Sequence, residues 1–200
     1  MNLGFIGTGN ITSDVVSGIS KSKISYSRII LSPRNIKKAQ YLKKKFKKIS
    51  IAKNNQEVID ASDWIFIGVL PKVGEKILSK LIFKQKQIVI SFMSTTKHVK
   101  LKKMIKKKLT IIRAIPMPPI KTGKGPVAIF PPNKKVKNFF NKIGTTIEIK
   151  NEKLSKNFWA ISGTMASFYE LLNVLSKWLI RKKTNETDAQ KYVTLLYSAL

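Results

Sequence analysis

Gly7 and Gly9, in the pattern Gly7-x-Gly9-x-x-Thr12, are the residues of this sequence whose types and spacing point most directly to chemistry. They follow at once on a short apolar run, Asn2 to Ile6, and precede Ile11, Val15, Val16 and Ile19 at helical spacing. In a strand, turn, helix context each glycine has a task. Gly7 permits the tight turn, and Gly9 lets a pyrophosphate approach the backbone where Asn10 and Ile11 open the helix. Thr12 stands in place of a third small residue, and its bulk is expected to make close helix packing harder. A lone glycine turn is also compatible with a plain loop. Its placement after the first strand favours dinucleotide binding.

The end of the second strand separates the cofactors. An acidic residue there would hold the ribose diol of NAD. Ser32-Pro33-Arg34-Asn35 stands there instead, followed by Lys37 and Lys38. A basic turn suits a 2′-phosphate, so NADP is expected ahead of NAD, with Ser32 and Arg34 on its adenosine side. A solvated Arg34 is the simpler alternative. Val69-Leu70-Pro71 closes a central apolar strand, and Ser91-Phe92-Met93-Ser94-Thr95 closes the next. Ligands bind outside such strand ends, which makes Val69, Pro71 and Ser91 candidate cofactor contacts and Ser94 a candidate at the reacting centre. Ser94 and Thr95 would alternatively cap the following helix. Lys72 and the lone His98, set among lysines, read as surface residues.

These positions need a frame, and the pattern supplies one. Strands are expected at Asn2–Ile6, 28–31, 49–52, 64–69, 87–92 and 109–114, with helical spacing between them. Asn54 or Asn55 caps a short helix. Such alternation argues a Rossmann-like, doubly wound parallel sheet of the α/β class. Pro116-Met117-Pro118-Pro119 breaks the rhythm, after which strands are expected at 127–130 and 145–149 around a helix over 136–143. Beyond Lys150 the pattern turns all-helical. Phe158, Ile161, Met165, Phe168, Leu172, Leu175 and Leu179 step by three and four and make one stripe, flanked by Trp159, Leu171, Trp178 and Ile180. A second helix is expected over 189–200. The chain therefore divides into a dinucleotide-binding domain, 1–150, and a helical domain, 151–200, that ends in mid-pattern and reads as shortened. The stripe leaves large side chains for a partner, so a homodimer through these helices is expected.

Composition bounds the alternatives. The chain has 200 residues, 43 % of them apolar, which suffices for a sizeable core. No cysteine and one histidine leave no disulfide, thiolate or metal-site chemistry to expect. No apolar run reaches membrane-spanning length and the first residues do not resemble a signal peptide, so a cytoplasmic location is expected. The formal net charge is +29, but 35 of the 39 basic residues are lysines. Base reading favours arginine, so specific nucleic-acid binding is not expected, while loose polyanion binding at low salt is.

Taken in order, Gly4-Phe5-Ile6-Gly7-Thr8-Gly9-Asn10, Trp64 to Pro71, Arg113-Ala114-Ile115-Pro116 and Ser162-Gly163-Thr164 resemble the motifs of pyrroline-5-carboxylate reductases. The resemblance spans essentially the whole chain. It implies reduction of the ring C=N of 1-pyrroline-5-carboxylate to L-proline by hydride from NADPH or NADH. It also implies a dimer, with Pro116, Ser162 and Thr164 at the substrate side. Three departures stand out. Met117-Pro118-Pro119 replaces the family's Asn-Thr-Pro, Met165-Ala166-Ser167-Phe168 replaces its Gly-Pro-Ala-Tyr, and its later Ser-Pro-Gly-Gly-Thr-Thr segment is absent from these residues. Hydride transfer to a protonated imine asks little of side chains beyond positioning and carboxylate binding. Two other readings fit the same plan. One is another NADP-linked oxidoreductase, resembling the deazaflavin-dependent NADP reductases or the 3-hydroxyacid dehydrogenases, although Lys156 and Asn157 are adjacent rather than four apart. The other is a non-catalytic dinucleotide- or partner-binding protein.

Overall fold

A computed structural model describes residues 1–198, with the exception of the Trp159 side chain. Ala199 and Leu200, the end of the helix expected over 189–200, lie outside the described residues, as does the expected contribution of Trp159 to the apolar stripe.

The first unit, Met1–Glu152, is built on one eight-stranded sheet in the order β3-β2-β1-β4-β5-β6-β7-β8. The strands are β1 (Asn2–Ile6), β2 (Arg28–Leu31), β3 (Ile49–Ile51), β4 (Trp64–Ile67), β5 (Ile88–Ser91), β6 (Thr110–Pro116), β7 (Pro126–Phe130) and β8 (Thr145–Glu148). Between them run α1 (Asn10–Lys21), α2 (Ile36–Lys45), α3 (Asn55–Asp60), α4 (Pro71–Leu78), α5 (His98–Ile105) and α6 (Lys134–Phe140). β1 to β6 are parallel. β7 runs antiparallel to β6, and β8 parallel to β7. The doubly wound parallel sheet expected from the sequence is present, with one reversal at β7. Only Met117 to Gly125, with a 3-10 turn over Pro118–Thr122, joins β6 to β7, which is too short for a crossover between parallel strands.

The central strands are apolar on both faces, and their period of two divides the core. Phe5, Phe66, Ile90 and Ile112 face one side, where α1 brings Val15, Val16 and Ile19 and α6 brings Val136, Phe139 and Phe140. Phe5 and Phe66 stack there with ring centroids 4.4 Å apart. Ile6, Ile65, Ile67, Val89 and Ile111 face the other, against Val58 and Ile59 of α3, Leu78 of α4, and Leu101, Met104 and Ile105 of α5. Caps fix several helix starts. Asn35 accepts from the Lys38 N–H, Asn54 from the Glu57 N–H and Asn133 from the Val136 N–H.

Some boundaries differ from the sequence expectation. β4 stops at Ile67, not Val69, because Gly68 to Leu70 turn into α4, whose first residue is Pro71. Phe46 and Leu81, which helical spacing with Leu42 and Leu78 would include in the helices before them, pack against the core from just beyond α2 and α4. His98, expected on the surface, is buried. It opens α5, and helical spacing puts it on the same inward face as Leu101 and Ile105.

The second unit, Lys153–Leu200, holds α7 (Ser155–Arg181) and α8 (Glu186–Ser198). Asn185 caps α8 by accepting from the Thr187 N–H at 2.9 Å. Within the stripe of α7, Phe158, Ile161 and Phe168 are exposed, Ile161 by 72 %. Met165, Leu172, Leu175 and Leu179 are half-buried, and Trp178 and Leu171 beside them are exposed.

Candidate dinucleotide site

The carboxyl ends of β1, β2 and β4 meet at one cleft of about 530 Å³. Gly7, Gly9, Arg34, Lys37, Val69 and Leu70 are among its lining residues. The turn after β1 has two different glycines. Gly7 has φ +93°, and a Cβ there would stand 2.5 Å from Val69 Cγ1, so both conformation and space require glycine. Gly9 has an ordinary φ of −81°, and the nearest atom to a Cβ built there is the Gly68 carbonyl oxygen at 3.9 Å. Its requirement is therefore not internal packing. It leaves open space in front of the backbone at the helix start.

That start is electrostatically prepared. No side chain caps α1 at Gly9, and the first-turn amides of Asn10, Ile11 and Thr12 have no intrahelical acceptor. Such a terminus favours an anion. Asn10 is exposed, and its Oδ1 accepts from the Lys38 ammonium. Ile11 packs its side chain against the core. Arg34 and Lys37 are exposed and add positive charge to the cleft wall. One carboxylate lies near by. Asp14, half-buried on α1, has its pKa raised by burial, with Lys121 and Lys38 opposing the shift.

Ser32 holds the turn from beneath. It is fully buried, and its Oγ accepts from the Gly7 N–H at 2.8 Å. The Thr8 hydroxyl donates to the Ser32 carbonyl at 3.2 Å. Ser32 thus supports the glycine turn, where the sequence suggested a direct cofactor contact. Thr12 is fully buried too, and its bulk is accommodated by Gly68 at the end of β4.

Further along the sheet, Ser91 is buried at the end of β5 and its Oγ accepts from the Met93 N–H at 3.2 Å. Ser94 is half-buried and Thr95 exposed. Neither caps α5, because the capping position falls on Lys97, which makes no side-chain cap bond. Val69 lines the cleft and Pro71 begins α4 beside it. Lys72 is exposed. Pro116 is buried at the end of β6, paired with Val127. In the helical unit, the Ser162 hydroxyl donates to the Phe158 carbonyl at 2.8 Å and the Thr164 hydroxyl to the Ile161 carbonyl at 2.7 Å. Both hydroxyls are engaged by their own helix. Among the described residues, no group of His, Asp and Glu is placed to hold a metal, and no helix is long and apolar enough to cross a membrane.

The sequence alone did not single out Gly68, Leu70 or Val73, which line the cleft. A glycine closing an apolar strand opposite a glycine turn was the available signal for Gly68. It also missed a buried ion pair. Arg113 Nη1 lies 2.5 Å from Glu152 Oε1, and no local pattern links residues 39 apart.

Known proteins share stretches of this sequence and its fold. Residues 2–95 match the family model for NADP oxidoreductase, coenzyme F420-dependent. A pyrroline-5-carboxylate reductase of Haemophilus influenzae is 24 % identical over 96 % of this chain and 73 % of its own length. One from Aquifex aeolicus is 27 % identical over 84 % of this chain and 64 % of its own length. Among solved structures, the 1-pyrroline-5-carboxylate reductase of Streptococcus pyogenes superposes with a TM-score of 0.83 at 22 % identity, covering 100 % of this chain and 77 % of that one. The Plasmodium falciparum pyrroline carboxylate reductase, solved with NADP bound, gives 0.84 at 21 %, covering 100 % of this chain and 76 % of that one. In sequence along most of its length, and in fold, this chain is similar to the pyrroline-5-carboxylate reductases.

Proposed function

We propose that this chain is a cytoplasmic NAD(P)H-dependent oxidoreductase that reduces the C=N bond of 1-pyrroline-5-carboxylate to L-proline, with NADP preferred over NAD. The observation that carries the reading is the open backbone at Gly9, set between an uncapped helix start and a basic cleft wall. A Cβ at Gly9 would intrude on that space and meets no protein atom closer than 3.9 Å, so the residues present fit a pyrophosphate. The chain spans 64–73 % of the length of the curated reductases named above, so the activity of the whole relative is carried over here as a proposal.

Each residue has a role in this proposal. Gly7 and Ser32 shape the turn, and Gly9 admits the phosphates to the amides of Asn10 and Ile11. Arg34 faces the 2′-phosphate, and Val69 and Pro71 form the floor toward the reacting end. Ser94, in the loop after β5, borders that end, while Ser91 supports the loop from beneath through its bond to the Met93 N–H. Pro116, and separately Ser162 and Thr164 of the helical unit, are candidate substrate contacts in this proposal. The nicotinamide, when bound, supplies the hydride to the imine carbon. The chain's part is to orient the two reactants, a positioning effect. A homodimer through α7 and α8 is part of the same proposal. It is supported by the exposure of Phe158, Ile161, Phe168 and Trp178.

Another NADP-linked oxidoreductase on the same domain plan is the second reading. It is favoured by the extent of the family-model match, 2–95, and by Met117 and Pro118 at the substrate turn. Adding 1-pyrroline-5-carboxylate to purified protein and NADPH decides between them. Loss of NADPH absorbance with stoichiometric proline supports the reductase. NADPH that binds but is not oxidised by this imine moves the assignment to the second reading.

A further inference from the structure

Arg113 is a buried cation with no part in the roles given above. It lies in β6 opposite Ser91 of β5, with 4 % of its surface exposed. Its guanidinium donates in two directions, from Nη1 to Glu152 Oε1 at 2.5 Å and from Nη2 to the Ser94 carbonyl at 2.5 Å. Glu152 Oε1 also accepts from the His98 backbone N–H at 2.6 Å, and the His98 ring donates from Nε2 to the Ile111 carbonyl at 2.8 Å. Burial lowers the Arg113 pKa and Glu152 opposes the shift. The group stays charged near neutrality because a guanidinium starts far above that range. One cation thus ties together the loop after β5, the start of α5 and the chain that follows β8.

The loop in question, residues 92–97, is next in line along the sheet from the dinucleotide cleft. The cleft runs from the Arg34 turn after β2, past Gly7 and Gly9 after β1, to Val69 and Leu70 after β4. The sheet order is β2-β1-β4-β5, so a dinucleotide with its adenosine end at β2 directs its other end toward β4 and β5. The loop start is anchored by the Phe92 N–H to the Ile67 carbonyl at 2.9 Å. Its next bonds, Met93 N–H to Ser91 Oγ and Thr96 N–H to the Met93 carbonyl, are local. The Arg113 contact fastens the middle of the loop to the sheet with a charge-assisted bond, the stronger class.

We infer that Arg113 is a positioning residue, which fixes the Ser94 carbonyl and so holds loop 92–97 in the shape that receives the nicotinamide half of the cofactor. The inference rests on the dinucleotide reading of the cleft. Lysine cannot take over, since a single ammonium does not present the planar fork that reaches Glu152 and Ser94 together.

The test compares two ligands by calorimetry: NADPH, and 2′-phospho-ADP-ribose, which lacks the nicotinamide ring. Wild type, Arg113→Lys and Glu152→Gln are titrated with each. Arg113→Lys is expected to lose about tenfold in NADPH affinity, the scale of one charge-assisted hydrogen bond, while the ringless ligand changes by less than about twofold. Glu152→Gln should shift the same ratio in the same direction by a smaller factor, because the bond to Ser94 survives. If Arg113→Lys does not fold, Glu152→Gln decides alone. Equal losses for both ligands, or no change in either variant, overturn the positioning role. Wild-type protein that binds neither ligand overturns the dinucleotide reading, and the positioning role falls with it.

Discussion

Thr12 and Gly68 are a matched pair. A Cβ on Gly68 would lie 2.1 Å from Thr12 Oγ1, well inside contact distance, and Thr12 itself is fully buried. The extra bulk at the third position of the glycine motif is absorbed by a missing side chain across the turn. Gly68→Ala should therefore cost about 1–3 kcal/mol, as overpacking does. Thr12→Ala should recover most of that loss in the double variant. Denaturant unfolding of the four proteins measures the coupling. Additive effects would show that the two side chains do not compete for the same space.

Arg34 should discriminate between the cofactors. It is exposed on the cleft wall, so its loss leaves the fold alone. Arg34→Ala is expected to weaken NADPH binding by about five- to tenfold at low salt and by less at high salt, as screening reduces an exposed charge contact. NADH binding should change by less than about twofold, since NADH has no 2′-phosphate for the guanidinium to meet. Equal losses for the two cofactors, in fluorescence titrations at matched ionic strength, would remove Arg34 from the adenosine phosphate site.

Much of the frame was legible in the sequence because the central strands are apolar on both faces. Runs such as Trp64 to Ile67 and Ile88 to Ser91 carry few polar residues, and Gly7-x-Gly9 falls directly after the first of them. What was not legible depends on tertiary partners. Ser32 reads as a cofactor ligand until its hydroxyl is seen under the Gly7 N–H. His98 reads as a surface residue because lysines surround it, although its spacing to Leu101 and Ile105 places it on the inward face. Arg113 and Glu152 lie 39 residues apart, and only the tertiary fold brings them together. The reversal of β7 was hidden as well, since apolar alternation carries no direction.

Asp14 sets a pH dependence of stability. Burial raises its pKa in the folded protein, against the pull of Lys121 and Lys38. Between its unfolded and folded pKa values the native state binds the extra proton, so stability falls as pH rises through that window. At neutral pH the ionised group is therefore a net cost. Asp14→Asn should raise the melting temperature near pH 7, and the gain should shrink as pH is lowered through the raised folded-state pKa. A gain that grows toward acid pH would contradict the sign.

The apolar face of α7 predicts an assembly. Ile161 is 72 % exposed and Trp178 54 %, with Phe158 and Phe168 also exposed. Light scattering at moderate salt should show a dimer, and Ile161→Lys should shift it toward monomer. Moderate salt matters because a chain of net charge +29 repels its own copy. A monodisperse species of 22.6 kDa at high micromolar concentration would refute the dimer.

The glycine at position 9 separates binding from folding, because a Cβ built there comes no closer than 3.9 Å to the residues across the turn, the Gly68 carbonyl oxygen being the nearest atom. The decisive measurement is a fluorescence titration of wild type and Gly9→Val with NADPH, accompanied by thermal melts. Saturable binding by wild type, binding by Gly9→Val weakened at least about a hundredfold, and closely similar melting temperatures are the expected results, since the new side chain fills phosphate space. Wild-type protein that does not bind NADPH, or a Gly9→Val variant that binds it equally well, would contradict the assignment of this cleft to a dinucleotide.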